Sequence, residues 1–227
     1  MPGCTAFLGV TDLLGDDLTG KTVVVTGAAG AVGSAAGQIA KRLGAAKVIG
    51  LCGSAAKVER CLKKYKYDDC LNYKSATLEA ELKALAPFHC FYDNTGGPAA
   101  SSIKALMVDG GRVAKVGSIG GPSSDEHDGR LQIKGFYAGG VKDKWPAAIK
   151  TMAGWVHEGK LHYDETVLVG IDSIPAAFIA QRTGKNTGKM IVDLTRASSD
   201  TGPPTAPLVV QSMPLHHSSS VCVCVMV

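Results

Sequence analysis

A short apolar run that leads into closely spaced glycines and then into a helix-like stretch constrains the fold of this chain most strongly. Thr22–Thr26 reads TVVVT, glycines follow at the first, fourth and seventh positions of Gly27–Gly33, and Ala31–Leu43 has helical composition. Glycines allow a tight turn with an exposed backbone, and the free N–H groups of the helix attract a pyrophosphate. The succession predicts a dinucleotide-binding unit, with a purely structural turn as the alternative.

Beyond this unit, β-rich runs alternate with helix-like stretches, which predicts a Rossmann-type, doubly wound α/β fold with a parallel sheet. The predicted strands are Thr22–Thr26, Lys47–Leu51, His89–Asp93, Arg112–Val116 and Met190–Leu194. The predicted helices are Ala31–Leu43, Ala55–Lys64, Thr77–Ala86, Ala99–Met107 and Pro146–Glu158.

The length and composition suit one core followed by a tail, because 45% of the 227 residues are hydrophobic. We predict a lead-in segment over 1–18, a cofactor-binding domain over 19–196 and a disordered tail over 197–227. The tail is rich in Ser and Pro and has turn-forming composition until its last residues.

Charge and cysteine usage exclude several classes of protein. The net charge is only +4 and no dense Lys/Arg run occurs, so we expect no nucleic-acid partner. No apolar stretch reaches about 18 residues and no basic region precedes the first apolar segment, so we expect a cytoplasmic protein without membrane contact. The seven cysteines lack Cys-x-x-Cys spacing, so we predict no metal site and interpret Cys52, Cys70 and Cys90 as buried apolar residues.

The second predicted strand ends without a carboxylate, which bears on the choice of cofactor. NAD-binding strands usually carry Asp or Glu about 20 residues beyond the glycines to bind the adenosine ribose. Here the sequence is Leu51-Cys-Gly-Ser54, and Lys57 follows one turn later. A serine hydroxyl and a lysine charge suit a 2′-phosphate, which favours NADP(H), although Lys57 could also be a solvated surface lysine.

The short-chain dehydrogenase pattern does not fit this sequence. That pattern needs a further glycine four positions after Gly27, where Ala31 stands, and a Tyr-x-x-x-Lys pair for proton transfer. None of the six tyrosines has Lys four positions later.

Several ordered segments resemble the zinc-independent medium-chain reductases, the family of prostaglandin reductase, leukotriene B4 hydroxydehydrogenase and the plant alkenal double-bond reductases. The segments are Met1–Phe7, Gly27–Ser34, Gly53–Val58, Asn72–Lys74, Asp93–Gly97, Gly110–Val113, Pro175–Ile179 and Gly184–Lys189. They occur in family order over about residues 1 to 195.

The resemblance implies a set of cofactor contacts. It implies a pyrophosphate on the glycine turn, a 2′-phosphate beside the second strand, and the cofactor ribose and nicotinamide beyond the later strands. The implied residues are Gly30, Ala31, Val32 and Gly33; Ser54, Lys57 and Tyr73; Asn94; Gly117 and Ser118; and Phe136, Tyr137 and Asn186. Tyr73 and Asn94 have plainer interpretations as a strand-end tyrosine and a turn residue.

The implied reaction is NADPH-dependent reduction of the C=C bond in an α,β-unsaturated aldehyde or ketone, without a metal. The family's N-terminal β-rich (GroES-like) domain has no counterpart in these residues, and no catalytic residue is assigned. A non-catalytic NADP(H)-binding module is the alternative, with a scaffold that only mediates interactions as a third possibility. The resemblance also makes a homodimer possible.

Overall fold

The computed structural model describes residues 1–121 and 129–195, together with the backbone of two short strands at 209–211 and 222–224. The chain divides into two compact units, Met1–His162 and Tyr163–Val227. Among the described residues, no helix has the length and apolar character needed to cross a bilayer.

The first unit contains a six-stranded parallel sheet with the order β3-β2-β1-β4-β5-β6. The strands are β1 Thr22–Thr26, β2 Lys47–Cys52, β3 Asp69–Asn72, β4 Phe88–Asp93, β5 Met107–Lys115 and β6 Gln132–Gly135. Val23, Val24 and Val25 are fully buried, as expected for a central strand that is covered on both faces. The predicted Rossmann-type sheet is therefore confirmed.

Helices cover both faces of this sheet. They are α1 Pro2–Leu8, α2 Gly33–Arg42, α3 Ala55–Lys63, α4 Leu78–Leu85, α5 Pro98–Ala105 and α6 Trp145–His157, with a π-helical turn at Gly9–Leu14 and a 3₁₀ segment at Ala138–Lys144. The five predicted helices occur within about two residues of their predicted ends. Two separate apolar clusters, one on each face, bury the sheet.

The lead-in segment packs into the core of the first unit. Cys4, Ala6 and Leu8 of α1 are buried in the larger apolar cluster. The hydroxyl of Tyr92 on β4 donates a hydrogen bond to the Thr5 carbonyl at 2.8 Å. Residues 1–18 are thus held by both apolar and polar contacts to the sheet.

The second unit has its own four-stranded sheet, with the order β10-β8-β7-β9. Its elements are β7 Glu165–Val169, α7 Ile174–Arg182, β8 Lys189–Asp193, β9 Val209–Gln211 and β10 Cys222–Cys224. Strands β9 and β10 lie in the predicted tail and pair antiparallel with β7 and β8. The rest of 197–227 lies outside the described residues.

The division after His162 does not coincide with the predicted limits at 18 and 196. Those limits, with the tail over 197–227, stay a prediction.

Candidate functional site

The carboxyl ends of the six parallel strands lie at one edge of the sheet, and most of the predicted site residues follow directly from them. The glycine turn follows β1, Ser54 and Lys57 follow β2, and Tyr73 follows β3. Asn94 follows β4, Gly117 and Ser118 follow β5, and Phe136 and Tyr137 follow β6. The strand order reverses between β1 and β4, where open α/β sheets form their ligand crevice.

The turn after β1 is closed by short backbone contacts. Gly27 has a φ of 61°, and the Gly30 N–H donates to the Gly27 carbonyl at 2.9 Å. A Cβ on Gly33 would overlap that same carbonyl oxygen. Glycine at position 33 therefore allows the start of α2 to lie directly against the turn.

The N-terminus of α2 lies directly behind the glycine turn. The helix begins at Gly33 after Val32, and no side chain caps its N-terminus. The Ser34 N–H donates to the Gly30 carbonyl at 2.9 Å, which fixes the turn against the helix. A glycine cradle that a Cβ would fill and an uncapped helix N-terminus together fit a pyrophosphate.

Tyr67 supports this turn from inside the protein, and the sequence reasoning did not identify it. Its hydroxyl donates to the Gly33 carbonyl at 2.7 Å, and its ring occupies the space where Gly37 of α2 has no side chain. Burial raises the pKa of Tyr67 well above its usual value, so the hydroxyl stays protonated as a donor. No sequence pattern signals this role, because Tyr67 lies in the irregular connection between α3 and β3.

Ser54, Lys57 and Tyr73 come together beyond the ends of β2 and β3. Ser54 precedes α3 in an extended conformation, and its hydroxyl does not cap the helix. The Tyr73 N–H donates to the Cys52 carbonyl at 2.9 Å, and a Cβ on Gly53 would lie 2.8 Å from the Tyr73 hydroxyl oxygen. The aromatic ring therefore covers the loop that carries Ser54.

Lys74 adds a second positive charge that the predicted residue set lacked. Its ammonium lies 5.8 Å from the centre of the Tyr73 ring, a cation–π distance. Burial lowers the pKa of Lys57, and repulsion from Lys74 lowers it further. The segment from Leu51 to Val58 contains no carboxylate. Two ammonium groups, one on α3 and one after β3, therefore favour a dianionic phosphate at this end of the sheet.

Asp93, at the end of β4, organises the loop that carries Asn94. Its carboxylate accepts hydrogen bonds from the Thr26 hydroxyl at 3.1 Å, the Thr95 N–H at 3.1 Å and the Gly96 N–H at 2.8 Å. The backbone N–H of Asn94 in turn donates to the Thr26 hydroxyl at 2.9 Å. Buried Asp93 thus binds the end of β1 to the end of β4.

The Asn94 side chain also points at β1, since its amide donates to the Thr26 carbonyl at 2.8 Å. Gly117 approaches so closely that a Cβ there would overlap the Asn94 carbonyl. The Gly120 N–H donates to the Thr95 carbonyl at 2.7 Å. The structure therefore brings Asn94 together with the loop of Gly117 and Ser118.

The remaining predicted residues have different surroundings. The Phe136 N–H donates to the Lys115 carbonyl at 3.0 Å, and its ring packs against the larger apolar cluster. Tyr137 is 78% exposed, with its ring beside Gly139. Asn186 lies in the second unit, where its amide donates to the Gly188 carbonyl at 2.8 Å. The first unit alone thus contains every predicted site residue except Asn186.

The sequence profile described as zinc-binding dehydrogenase matches residues 31–154, which begin inside the glycine turn and end in α6. The chain belongs to this family. The similarity to medium-chain reductases of the prostaglandin reductase type is likewise confirmed by named relatives. Prostaglandin reductase 1 of Sus scrofa is 40% identical over 207 residues, covering 85% of this chain and 62% of the relative.

The descriptions of two further relatives mention the cofactor. A putative NADP-dependent oxidoreductase of Bacillus subtilis, YfmJ, is 35% identical over 214 residues, covering 87% of this chain and 62% of the relative. The solved structure of CurA from Vibrio vulnificus in complex with NADPH is 30% identical with a TM-score of 0.80, covering 86% of this chain and 63% of that chain. The chain thus spans about 62% of the length of the curated relatives it matches.

Proposed function

We propose that this chain binds NADP(H) at the carboxyl edge of its parallel sheet and takes part in NADPH-dependent oxidoreduction. One observation carries the proposal. An uncapped helix N-terminus lies behind a glycine cradle, and two lysines, Lys57 at the start of α3 and Lys74 after β3, lie near each other in segments without a carboxylate. The first feature suits the pyrophosphate, and the second suits the 2′-phosphate that separates NADP from NAD. YfmJ is named NADP-dependent, and CurA was solved with NADPH.

Each group of site residues receives a role in this proposal. The pyrophosphate is held by Gly30, Ala31, Val32 and Gly33, and the 2′-phosphate is surrounded by Ser54, Lys57, Tyr73 and Lys74. Asn94 approaches the cofactor ribose, Gly117 and Ser118 flank the nicotinamide, and Phe136 and Tyr137 are further cofactor contacts. Asn186, in the second unit, stays a predicted cofactor contact. The hydrogen bonds of Asp93 and Thr26 fix the Asn94 loop before the cofactor binds, which lowers the cost of ordering it.

The finer proposal is that the substrate is an α,β-unsaturated aldehyde or ketone whose C=C bond is reduced. Bound NADPH supplies the hydride for such a reaction. The glycine turn and the paired loops after β4 and β5 orient the cofactor, and no residue is assigned to proton transfer. Similarity to prostaglandin reductase 1 supports this substrate class.

The experiment combines binding with turnover. Purified chain is titrated with NADPH and NADH by fluorescence, and 4-hydroxynonenal is then added while the absorbance of NADPH is followed. We expect tighter binding of NADPH, loss of its absorbance, and a product that retains its aldehyde proton in NMR spectra but has lost both vinyl protons. Loss of the aldehyde proton instead would overturn the finer proposal.

Two other outcomes separate the alternatives. Binding without turnover would leave an NADP(H)-binding module, and absence of binding would overturn the whole proposal. Self-association stays a prediction, which light scattering of the same sample tests with and without NADPH.

A further inference from the structure

Three cysteines from three successive elements converge on one buried point. Cys52 ends β2, Cys61 lies in α3 and Cys70 lies in β3. Strands β2 and β3 pair in parallel, and Cys70 lies opposite Gly50. Because Gly50 is two residues before Cys52 on β2, the thiols of Cys52 and Cys70 project from the same face of the sheet. Helix α3 connects these strands and places Cys61 against that face, and none of the three residues is more than 6% exposed.

The sulfur atoms lie close enough to share one ion. The Cys52 sulfur is 3.4 Å from that of Cys61 and 3.7 Å from that of Cys70, and all three lie within 4.8 Å of one another. An ion in the plane of three thiolates, bonded to each at about 2.3 Å, requires sulfurs roughly 4.0 Å apart. The Cys52 sulfur is about 0.6 Å too close to Cys61 and about 0.3 Å too close to Cys70 for this geometry, so the triangle widens at Cys52 when it takes up the ion.

Gly50 allows the cluster to pack closely against the sheet. A Cβ at this position would lie 2.8 Å from Cβ of Ala28, 3.0 Å from the Cys70 sulfur and 3.1 Å from Cδ1 of Tyr67. Lys57 is near enough to Cys52 and Cys61 for its charge to interact with theirs. That ammonium partly balances the negative charge that three thiolates around one monovalent ion would leave.

The number and type of ligands select the ion. Structural zinc normally takes four ligands in a tetrahedron, whereas the described residues supply three sulfurs and no further His, Cys, Asp or Glu ligand to this group. Soft thiolates select soft cations, and copper(I) is the first-row member of that class. A dry pocket of three sulfurs therefore suits a three-coordinate monovalent ion better than zinc.

We propose that Cys52, Cys61 and Cys70 form a binding site for one copper(I) ion. Binding forms three Cu–S bonds and releases the thiol protons to solvent, and the copper stays monovalent throughout. The copper site adjoins the proposed cofactor site, because Cys52 directly precedes the loop of Ser54 and Lys57 is near both. Copper binding is measured without cofactor, so failure of this proposal and failure of the cofactor proposal can be told apart.

The test uses the full chain with Cys222→Ser and Cys224→Ser, because that Cys-x-Cys pair could bind copper by itself. Reduced protein is titrated anaerobically with copper(I) against a chromogenic copper(I) chelator, and the bound ion is studied by X-ray absorption. We expect one copper per chain with three sulfur neighbours at about 2.3 Å. Cys61→Ser should weaken copper binding at least tenfold, whereas Cys90→Ser, which alters a buried thiol outside the cluster, should not.

Several results would overturn the proposal. The chain could fail to compete with the chelator, or the bound copper could have fewer than three sulfur neighbours. One copper could be shared by two chains, or the Cys61 and Cys90 variants could lose copper affinity equally. The absorption spectrum of the chain with an intact cluster decides the question even if a cluster variant fails to fold. Circular dichroism of each variant identifies that case.

Discussion

At the scale of single residues, Lys57 carries the proposed preference for NADPH over NADH. It lies on α3 near Lys74, which follows β3, and neither Leu51–Val58 nor Asn72–Ser75 contains a carboxylate. Loss of a charge-assisted hydrogen bond costs about 1.5–3 kcal/mol, so Lys57→Ala should weaken NADPH binding at least about tenfold. NADH, which lacks the 2′-phosphate, should bind almost unchanged.

Fluorescence titration with both cofactors measures this difference. The matched control is Lys83→Ala, because Lys83 is an exposed lysine on α4. Equal loss of NADPH and NADH affinity in Lys57→Ala would contradict the assignment of the 2′-phosphate to this loop.

Two glycines in helices should respond in opposite directions to a single added methyl group. In Gly33→Ala the Cβ meets the Gly27 carbonyl, so the turn must open, and we expect lower stability and at least tenfold weaker NADPH binding. Gly154 is exposed within α6 and has no atom within 4 Å of its Cβ position. Gly154→Ala should therefore raise stability by about 0.5–1 kcal/mol without affecting the cofactor. Urea unfolding and NADPH titration of both variants test the pair.

His89 makes the stability of the sheet depend on pH. Its Nδ1 accepts a hydrogen bond from the Thr22 N–H at 3.1 Å, which requires an unprotonated nitrogen. Burial, followed by the charge of Lys21, lowers the pKa of His89 below its usual 6.5. Below about pH 6.5 the unfolded chain therefore binds more protons at His89 than the folded chain does. The stabilisation that unprotonated His89 gives to the folded chain is complete above this pH and is lost as the pH falls through the lower pKa of the folded state.

Urea unfolding between pH 7.5 and 5 measures this loss. In His89→Asn a side-chain oxygen can accept the same hydrogen bond without titrating, so stability should fall less steeply toward acid. An identical pH dependence in the two proteins would show that another group is responsible.

At the scale of elements, the sequence predicted β1, β2, β4, the second half of β5 and β8, and it missed β3, β6 and β7. Strands β1, β2 and β4 are buried on both faces, and the predicted runs match them closely. Strand β3 has only four residues, and β6 is an edge strand whose residues QIKG are mostly exposed. Neither strand is long or apolar enough to show a recognisable strand pattern in the sequence. Pairing with a neighbouring strand, rather than local sequence, makes these residues strands.

Local sequence also limited how much of the candidate cofactor site could be predicted. Residues within the glycine turn and at strand ends could be predicted, because turn chemistry and strand polarity are local. Tyr67 could not be predicted, because its contact with Gly33 depends on how the connection before β3 packs against α2. Lys74 could not be predicted either, because its nearness to Lys57 depends on how β3 is placed beside β2. The proximity of Cys61 to Cys52 and Cys70 likewise follows from packing of α3, and their spacing in the sequence gives no sign of it.

Tyr67 provides a test of how α2 is positioned. Tyr67→Phe keeps the ring against Gly37 but removes the hydrogen bond to the Gly33 carbonyl. We expect a loss of about 0.5–1.5 kcal/mol in the free energy of unfolding and weaker NADPH binding, since the first turn of α2 is less firmly held. Urea unfolding with and without NADPH measures both effects. Unchanged stability would mean that packing of the ring alone positions the helix.

At the scale of the whole molecule, the first unit brings together a glycine cradle, a basic loop and the paired loops after β4 and β5. These features meet because six parallel strands end at one edge, and the strand order reverses at β1 and β4. Any ligand that binds this edge selectively in the folded state must also raise the stability of the chain, by about 2.7 kcal/mol at a hundred times its Kd.

The central claim is that this edge binds NADP(H) in preference to NAD(H). Titration of the purified chain with NADPH and with NADH, by fluorescence at constant ionic strength, tests it most directly. We expect saturable binding of one NADPH per chain, with NADH at least tenfold weaker. Equal affinity for the two would contradict the role of Lys57 and Lys74, and no binding of either would contradict the cofactor site itself.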